Sequence, residues 1–122
     1  MSTASQDAAL PGAAEHEHAA LRPHTPRQAV ATLTEAGELL RALAAPVRIA
    51  IVLQLQDADR CVHELVDALA VAQPLISQHL RVLKAAGVVR GERRGREVVY
   101  RLVDDHLAHI VVDAVEHVKE SA

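Results

Sequence analysis

Residues 61–101 read CVHELVDALAVAQPLISQHLRVLKAAGVVRGERRGREVVYR, and this stretch decides the fold. Apolar residues recur at helical spacing over 61–69 and again over 73–85, with only a short connection at 70–72 between them. Gly87 marks the end of the second helix, because glycine readily adopts the conformation that follows a helix. The period then shortens to two: 88–92 and 97–102 are β-rich runs joined by Arg93-Arg94-Gly95-Arg96, which predicts a hairpin with an arginine-rich tip.

The flanking sequence completes the pattern. Helical spacing predicts helices over 28–44 and 46–56, the second beginning at Pro46, and a last helix over 104–120. Residues 1–27 are rich in Ala, Pro and charge without an apolar period, which predicts a disordered N-terminal arm. The resulting order predicts a mainly α fold with a small β-hairpin, a winged helix-turn-helix, with residues 28–122 as one domain.

Charge is distributed unevenly along the chain of 122 residues. The formal net charge is −3, yet the segment 81–101 holds seven basic residues against two acidic ones. The segment 102–122 reverses this, with five acids and one lysine. Because local charge decides phosphate affinity, the basic segment favours nucleic-acid binding. Tyr100 is the sole aromatic residue, which argues against single-stranded nucleic acid, whose recognition uses aromatic stacking.

Cysteine content and hydropathy indicate the compartment. Cys61 is the sole cysteine, so an internal disulfide is excluded and a reducing cytosol is favoured. No apolar run approaches the ~20 residues that span a membrane, and the N-terminus lacks a signal-peptide pattern. We therefore expect a cytoplasmic protein without a membrane partner.

The helix over 73–85 is predicted to read DNA. Leu75, Ile76, Leu80 and Leu83 have the spacing of an inward face. Polar side chains on the other faces, with the arginines of the hairpin tip, suit base edges and phosphates. The predicted DNA contacts are Gln73, Ser77, Gln78, Arg81, Arg93, Arg94 and Arg96. His79 has two interpretations, a DNA contact or a half-buried histidine with a hydrogen-bond partner, and the second is favoured.

The last helix carries a metal-ligand pattern, Asp104-x-His106 followed by His117-x-x-Glu120. The two histidines are about three turns and ~16 Å apart along a helix, so they share a face but cannot reach one ion. A second, antiparallel copy of the helix would bring the Asp104/His106 end of one chain beside the His117/Glu120 end of the other. Two nitrogens and two oxygens per site suit zinc, with cobalt or nickel as plausible substitutes.

Other residues leave questions open. His109 and Asp113 lie on the same stripe of the last helix, so they could support the ligands or compete with them. Alternatively, the whole stripe is a solvated edge of the dimer. Cys61 with His63 or Glu64 supplies too few ligands for a second site, and a small buried cysteine is the favoured interpretation. Histidines of the arm would have to complete such a site: His16, His18 and His24.

Several motifs resemble the ArsR/SmtB family of metal-sensing repressors. They are ELLRALAAPVRI (38–49), CVHEL (61–65), QPLISQHLRVLKAAGV (73–88) and GREVVYRL (95–102). Asp104-x-His106 and His117-x-x-Glu120 resemble the last-helix zinc site of the SmtB-type branch. Some members carry Cys-x-Cys on the third helix, where this chain has His63 second, which argues against arsenic or cadmium sensing. Many members have a serine helix cap where this chain has Ala72.

The resemblance implies a homodimeric winged helix-turn-helix protein that represses transcription by binding operator DNA and releases it when metal binds. Residues 28–122 are then its DNA-binding and dimerisation domain. We thus expect a zinc-responsive transcriptional repressor, with the zinc site at the dimer interface. The alternative is a winged-helix regulator with a different inducer or no metal response. An enzyme is not expected, since four protein ligands leave no open coordination position for a substrate.

Overall fold

The computed structural model describes residues 27–122. The predicted arm therefore lies outside the described residues except for Arg27, which begins the first helix. The elements are α1 Arg27–Leu43, α2 Pro46–Asp57, β1 Arg60–Cys61, α3 Val62–Leu69, α4 Gln73–Ala85, β2 Val89–Arg94, β3 Glu97–Leu102 and α5 Asp105–Ser121. Gly37–Ala122 forms one compact unit, whose boundary falls within α1. The predicted mainly α fold with a small sheet is confirmed.

The core of this unit is aliphatic. Its fully buried side chains come from α2, α3 and α4, from the residue before β2 and from the first residue of β2: Ile51, Val52, Leu65, Ile76, Leu83, Val88 and Val89. Burying one such side chain contributes about 1.5–3 kcal/mol, so the core fixes how α4 and the sheet are placed. Leu107 and Val111 pack α5 against the same core. Proline at the start of α2 and α4 is compatible with both helices, because the first-turn N–H groups lack intrahelical partners.

The sheet has three antiparallel strands in the order β1-β3-β2, one strand more than the predicted hairpin. We call the β2–β3 hairpin the wing. Cys61 of β1 pairs with Val99 of β3, and this pairing joins the start of α3 to the wing. A two-residue loop, Gly95-Arg96, connects β2 and β3. Gly95 has φ +65°, so a glycine suits the first loop position. Arg93 and Arg94, predicted at the tip, end β2 instead.

The connection between α3 and α4 is tight. Ala70 adopts left-handed backbone geometry at φ 56°, and its N–H donates to the carbonyl of Val66. Ala72 then precedes α4 without a side-chain cap, as its alanine side chain requires. No helix among residues 27–122 is long and apolar enough to cross a membrane.

Candidate DNA-binding surface and metal-binding residues

Helix α4 presents a polar face away from the core. Gln73, Gln78 and Arg81 are exposed, and Ser77 is half-buried. Ile76, Leu80 and Leu83 are buried, as predicted. Leu75 was predicted to point inward, which is wrong: its side chain is 50% exposed. At ~100° per residue, Leu75 lies about 100° away from Ile76, beyond the face that the three buried residues define.

His79 is half-buried and has a partner within the protein. Its Nδ1 lies 3.2 Å from a guanidinium nitrogen of Arg48 in α2. The same arginine donates through Nε to the carbonyl of Ala42 at 2.5 Å. The interpretation of His79 as a half-buried histidine with a hydrogen-bond partner is confirmed. Arg48 thereby connects α4 to the end of α1.

The wing carries the three predicted arginines, all exposed, in two different settings. Arg94 donates to Asp59 at 3.2 Å and to Glu92 at 3.1 Å, and the pair with Glu92 raises the pKa of the guanidinium above its usual range. Arg93 lies on the face of β2 opposite to Arg94, and Arg96 lies in the loop between β2 and β3. No ion pair to Arg93 or Arg96 is present among residues 27–122. These two arginines therefore have positive charge available for phosphate.

Asp104 and His106 are brought together at the start of α5. Asp104 is the N-cap of α5, and its Oδ1 accepts from the backbone N–H of His106 at 3.0 Å. The same oxygen lies 3.4 Å from Nδ1 of His106. His117 and Glu120 are near the other end of the helix, so one chain does not bring the four predicted ligands into one cluster. All four side chains are exposed.

Helix α5 has a buried apolar face and, opposite to it, an exposed polar face. Leu107, Ala108 and Val111 are buried against the core. His109 and Asp113 are exposed on the side of the predicted ligands, roughly half a helical turn away from the buried face. The ligand stripe is therefore directed away from the chain's own core.

An apolar groove of about 170 Å³ runs beside that stripe. It is lined by Leu40, Leu43, Ala44, Ile49, Ile110, Val111 and Ala114. Leu40 is 52% exposed and Val118, one residue beyond His117, is 66% exposed. Exposed apolar side chains grouped in this way are typical of a protein–protein interface.

A third cluster combines Cys61, His63 and Glu97. Cys61 Sγ lies 3.1 Å from Nδ1 of His63, and that nitrogen lies 3.6 Å from Oε2 of Glu97. Cys61 is buried, as expected, and burial raises the pKa of its thiol. Glu64 does not join the cluster, because its carboxylate accepts from the Cys61 N–H at 2.9 Å, which lowers the pKa of Glu64. Sequence reasoning missed Glu97, since only the pairing of β1 with β3 brings it near Cys61.

Comparison with known proteins places this arrangement in a family. Residues 45–90 match the model of the bacterial regulatory protein, arsR family. Over 90 residues the chain is 77% identical to the HTH-type transcriptional repressor SmtB of Mycobacterium tuberculosis, covering 74% of this chain and 67% of that protein. The chain belongs to the ArsR/SmtB family. The resemblance drawn from its motifs is confirmed.

Solved structures agree with ArsR-family membership. A homodimeric winged helix-turn-helix DNA-binding domain from Mycobacterium bovis, a possible ArsR-family transcriptional regulator, superposes with a TM-score of 0.68 at 26% identity, covering 80% of this chain and 94% of that chain. The solution structure of apo-NmtR has a TM-score of 0.61 at 38% identity and covers 81% and 82%. The fold is a winged helix-turn-helix, with α3 and α4 as the helix-turn-helix, and these relatives are transcriptional regulators rather than enzymes.

Proposed function

We propose that this protein is a cytoplasmic, homodimeric, zinc-responsive repressor that binds operator DNA without metal and releases it when zinc binds between the protomers. The observation that carries the proposal is the division of one ligand set between the two ends of α5. Asp104 and His106 lie at one end, and His117 and Glu120 at the other. A second protomer with an antiparallel α5 would complete two equivalent sites.

The donor chemistry fits zinc. Zinc accepts imidazole nitrogen and carboxylate oxygen at about 2.0–2.2 Å, so two such ligands on a tetrahedral ion are about 3.4 Å apart. Asp104 Oδ1 and His106 Nδ1 are 3.4 Å apart, a separation that matches this value. Bound zinc would neutralise carboxylate charge and hold one protomer's helix to the other's.

The dimer is supported by the apolar groove beside the ligand stripe. Leu40 and Ile110 expose apolar surface there, and burying it against a second copy is favourable by roughly 25 cal/mol per Å². The same contact would set the two α5 helices side by side. Metal and packing would thus act on one interface.

DNA binding is assigned to the exposed face of α4 and to the wing. Gln73 and Gln78 can pair with adenine, and Arg81 can reach guanine or phosphate. A dimer must present its two α4 helices about one helical turn of DNA apart. Zinc that locks the α5 pair in a different arrangement would weaken operator binding, by about 1–3 kcal/mol for couplings of this kind.

The test is a zinc titration of the protein on a duplex selected from random sequence in the presence of a chelator. Zinc should weaken binding by roughly five- to 150-fold, as that coupling energy implies. His117→Ala and Glu120→Gln should bind the duplex normally and lose the response. Glu116→Gln is the matched control, since Glu116 is exposed on the same helix and pairs with Lys119, and it should keep the response.

Two results would contradict the proposal. If zinc does not change the operator affinity of the unaltered protein, the protein is a regulator with a different inducer or with none. A zinc response that survives in His117→Ala and Glu120→Gln would move the sensing site away from α5.

A further inference from the structure

Leu75 is an apolar residue on the part of α4 that is assigned to DNA. It is the third residue of this helix, its side chain is 50% exposed, and it lies outside the core that the described residues form. We propose that Leu75 determines sequence specificity by contacting the C5-methyl group of a thymine in the major groove. This proposal rests on the DNA binding proposed above and names a base that α4 would recognise.

The position of Leu75 on α4 places it beside polar side chains that suit base edges. Gln78 lies three residues further along and about 60° around the helix, so the two side chains are neighbours. Both are exposed, as is Gln73 at the start of α4. In a helix-turn-helix, residues near the N-terminus of the second helix contact base edges. Leu75 therefore lies in the turn of α4 that would contact bases.

The backbone of this turn is already used within the protein. The N–H of Leu75 donates to the carbonyl of Ala72 at 3.0 Å. Pro74, the residue before Leu75, is exposed and has no N–H. At these two positions α4 offers a DNA duplex apolar side chains and no hydrogen-bond donor.

Thymine is the base that suits an apolar side chain in the major groove. Its edge carries a methyl group, whereas adenine and cytosine present amino groups and guanine presents a nitrogen and an oxygen. Leucine packed on the methyl group would remove apolar surface from water, which is favourable. Leucine packed on the other edges would leave a polar atom without water or a hydrogen-bond partner, which is unfavourable. Leu75 should therefore favour thymine at the base pair that it faces.

Val82 provides a matched control on the same helix. It is the other exposed large apolar residue of α4, and its side chain is 37% exposed. Val82 follows Leu75 by seven residues, which places it about 20° around the helix and ~10 Å further along the axis. There it lines an open cavity with Arg41 of α1 and Arg48 of α2. A role that depends on the first turn of α4 should be absent at Val82.

The experiment uses the full chain, a chelator and the duplex selected from random sequence. Each thymine of this duplex is replaced in turn by deoxyuridine, which removes the methyl group and keeps the hydrogen-bonding groups of the base. We expect one position in each half-site where the replacement weakens binding about fourfold, the value for burial of one methyl group. This series tests the contact without any change to the protein.

Two variants then assign the methyl contact to a residue. Leu75→Ala should bind the original duplex roughly tenfold more weakly, because a dimer would lose the contact in both half-sites. It should also bind the thymine and deoxyuridine duplexes equally well at the sensitive position. Val82→Ala should keep both the affinity and the sensitivity to the methyl group.

Three outcomes would overturn this proposal and leave DNA binding intact. One is a selected duplex in which no thymine is sensitive to loss of its methyl group. Another is undiminished sensitivity in Leu75→Ala, because a different residue would then contact the methyl group. The last is a shift of Leu75→Ala towards monomers in sedimentation without DNA, because Leu75 would then pack against a second protomer. A chain that selects no duplex at all would contradict the proposed function and this inference together.

Discussion

Gly91 in β2 is a glycine whose hydrogen atom occupies a place too tight for a Cβ. It pairs with Tyr100 across the wing, and the chain's one aromatic ring packs over its backbone. A Cβ at Gly91 would lie 2.9 Å from Cγ1 of Val98 and 3.2 Å from Cε1 of Tyr100. Valine has a stiff side chain, so it cannot easily move aside. The glycine lets the tyrosine cover β2 closely.

Gly91→Ala should therefore lower the free energy of unfolding by about 1–3 kcal/mol, the usual cost of overpacking. Urea unfolding followed by circular dichroism measures this. The control is Gly37→Ala in α1, where an added Cβ meets nothing within 4 Å. Because alanine is the better helix former, that variant should gain up to about 1 kcal/mol. Equal stabilities of Gly91→Ala and the parent would show that the wing adapts without cost.

At the scale of elements, hydrophobic periodicity was sufficient to predict the helices and the wing. The inward face of α4 is defined by Ile76, Leu80 and Leu83. The assignment of Leu75 to this face was wrong because two adjacent residues on a helix cannot both be central to one face. β1 was missed because a strand of two residues, Arg60–Cys61, has no period to detect. Without β1 there is no reason to connect Cys61 with Glu97, which lies far along the chain, so the cluster was beyond sequence reasoning.

The wing should contribute to DNA affinity through those arginines that have no carboxylate partner within the described residues. Arg93→Gln and Arg96→Gln should each reduce the slope of log affinity against log salt by about 0.9, the value for one phosphate contact. Arg94→Gln should reduce it less, because Asp59 and Glu92 already pair with that guanidinium. The measurement is operator binding at several salt concentrations with metal removed. Three equal reductions would mean that Arg94 exchanges its carboxylate partners for phosphate.

For the whole molecule, the proposed α5 sites make metal binding a property of the dimer rather than of the chain. Ile110→Asp tests this, because Ile110 is 37% exposed in the groove beside the ligand stripe and is not itself a ligand. Two carboxylates buried at the dimer contact should weaken dimerisation at least a hundredfold, which corresponds to about 2.8 kcal/mol. Sedimentation should then detect folded monomers at concentrations where the parent chain is dimeric.

Those monomers should lose zinc binding at α5 although Asp104, His106, His117 and Glu120 are all retained, since each chain alone holds the ligands about 16 Å apart along the helix. The control is Val103→Asp, at a residue 40% exposed but outside the groove, which should remain dimeric and bind zinc at α5. Introducing His117→Ala into both variants separates zinc bound at α5 from zinc bound elsewhere on the chain. If the Ile110→Asp monomer binds one zinc ion fewer after His117→Ala is added, then a single chain binds zinc at α5. That result would refute the shared site.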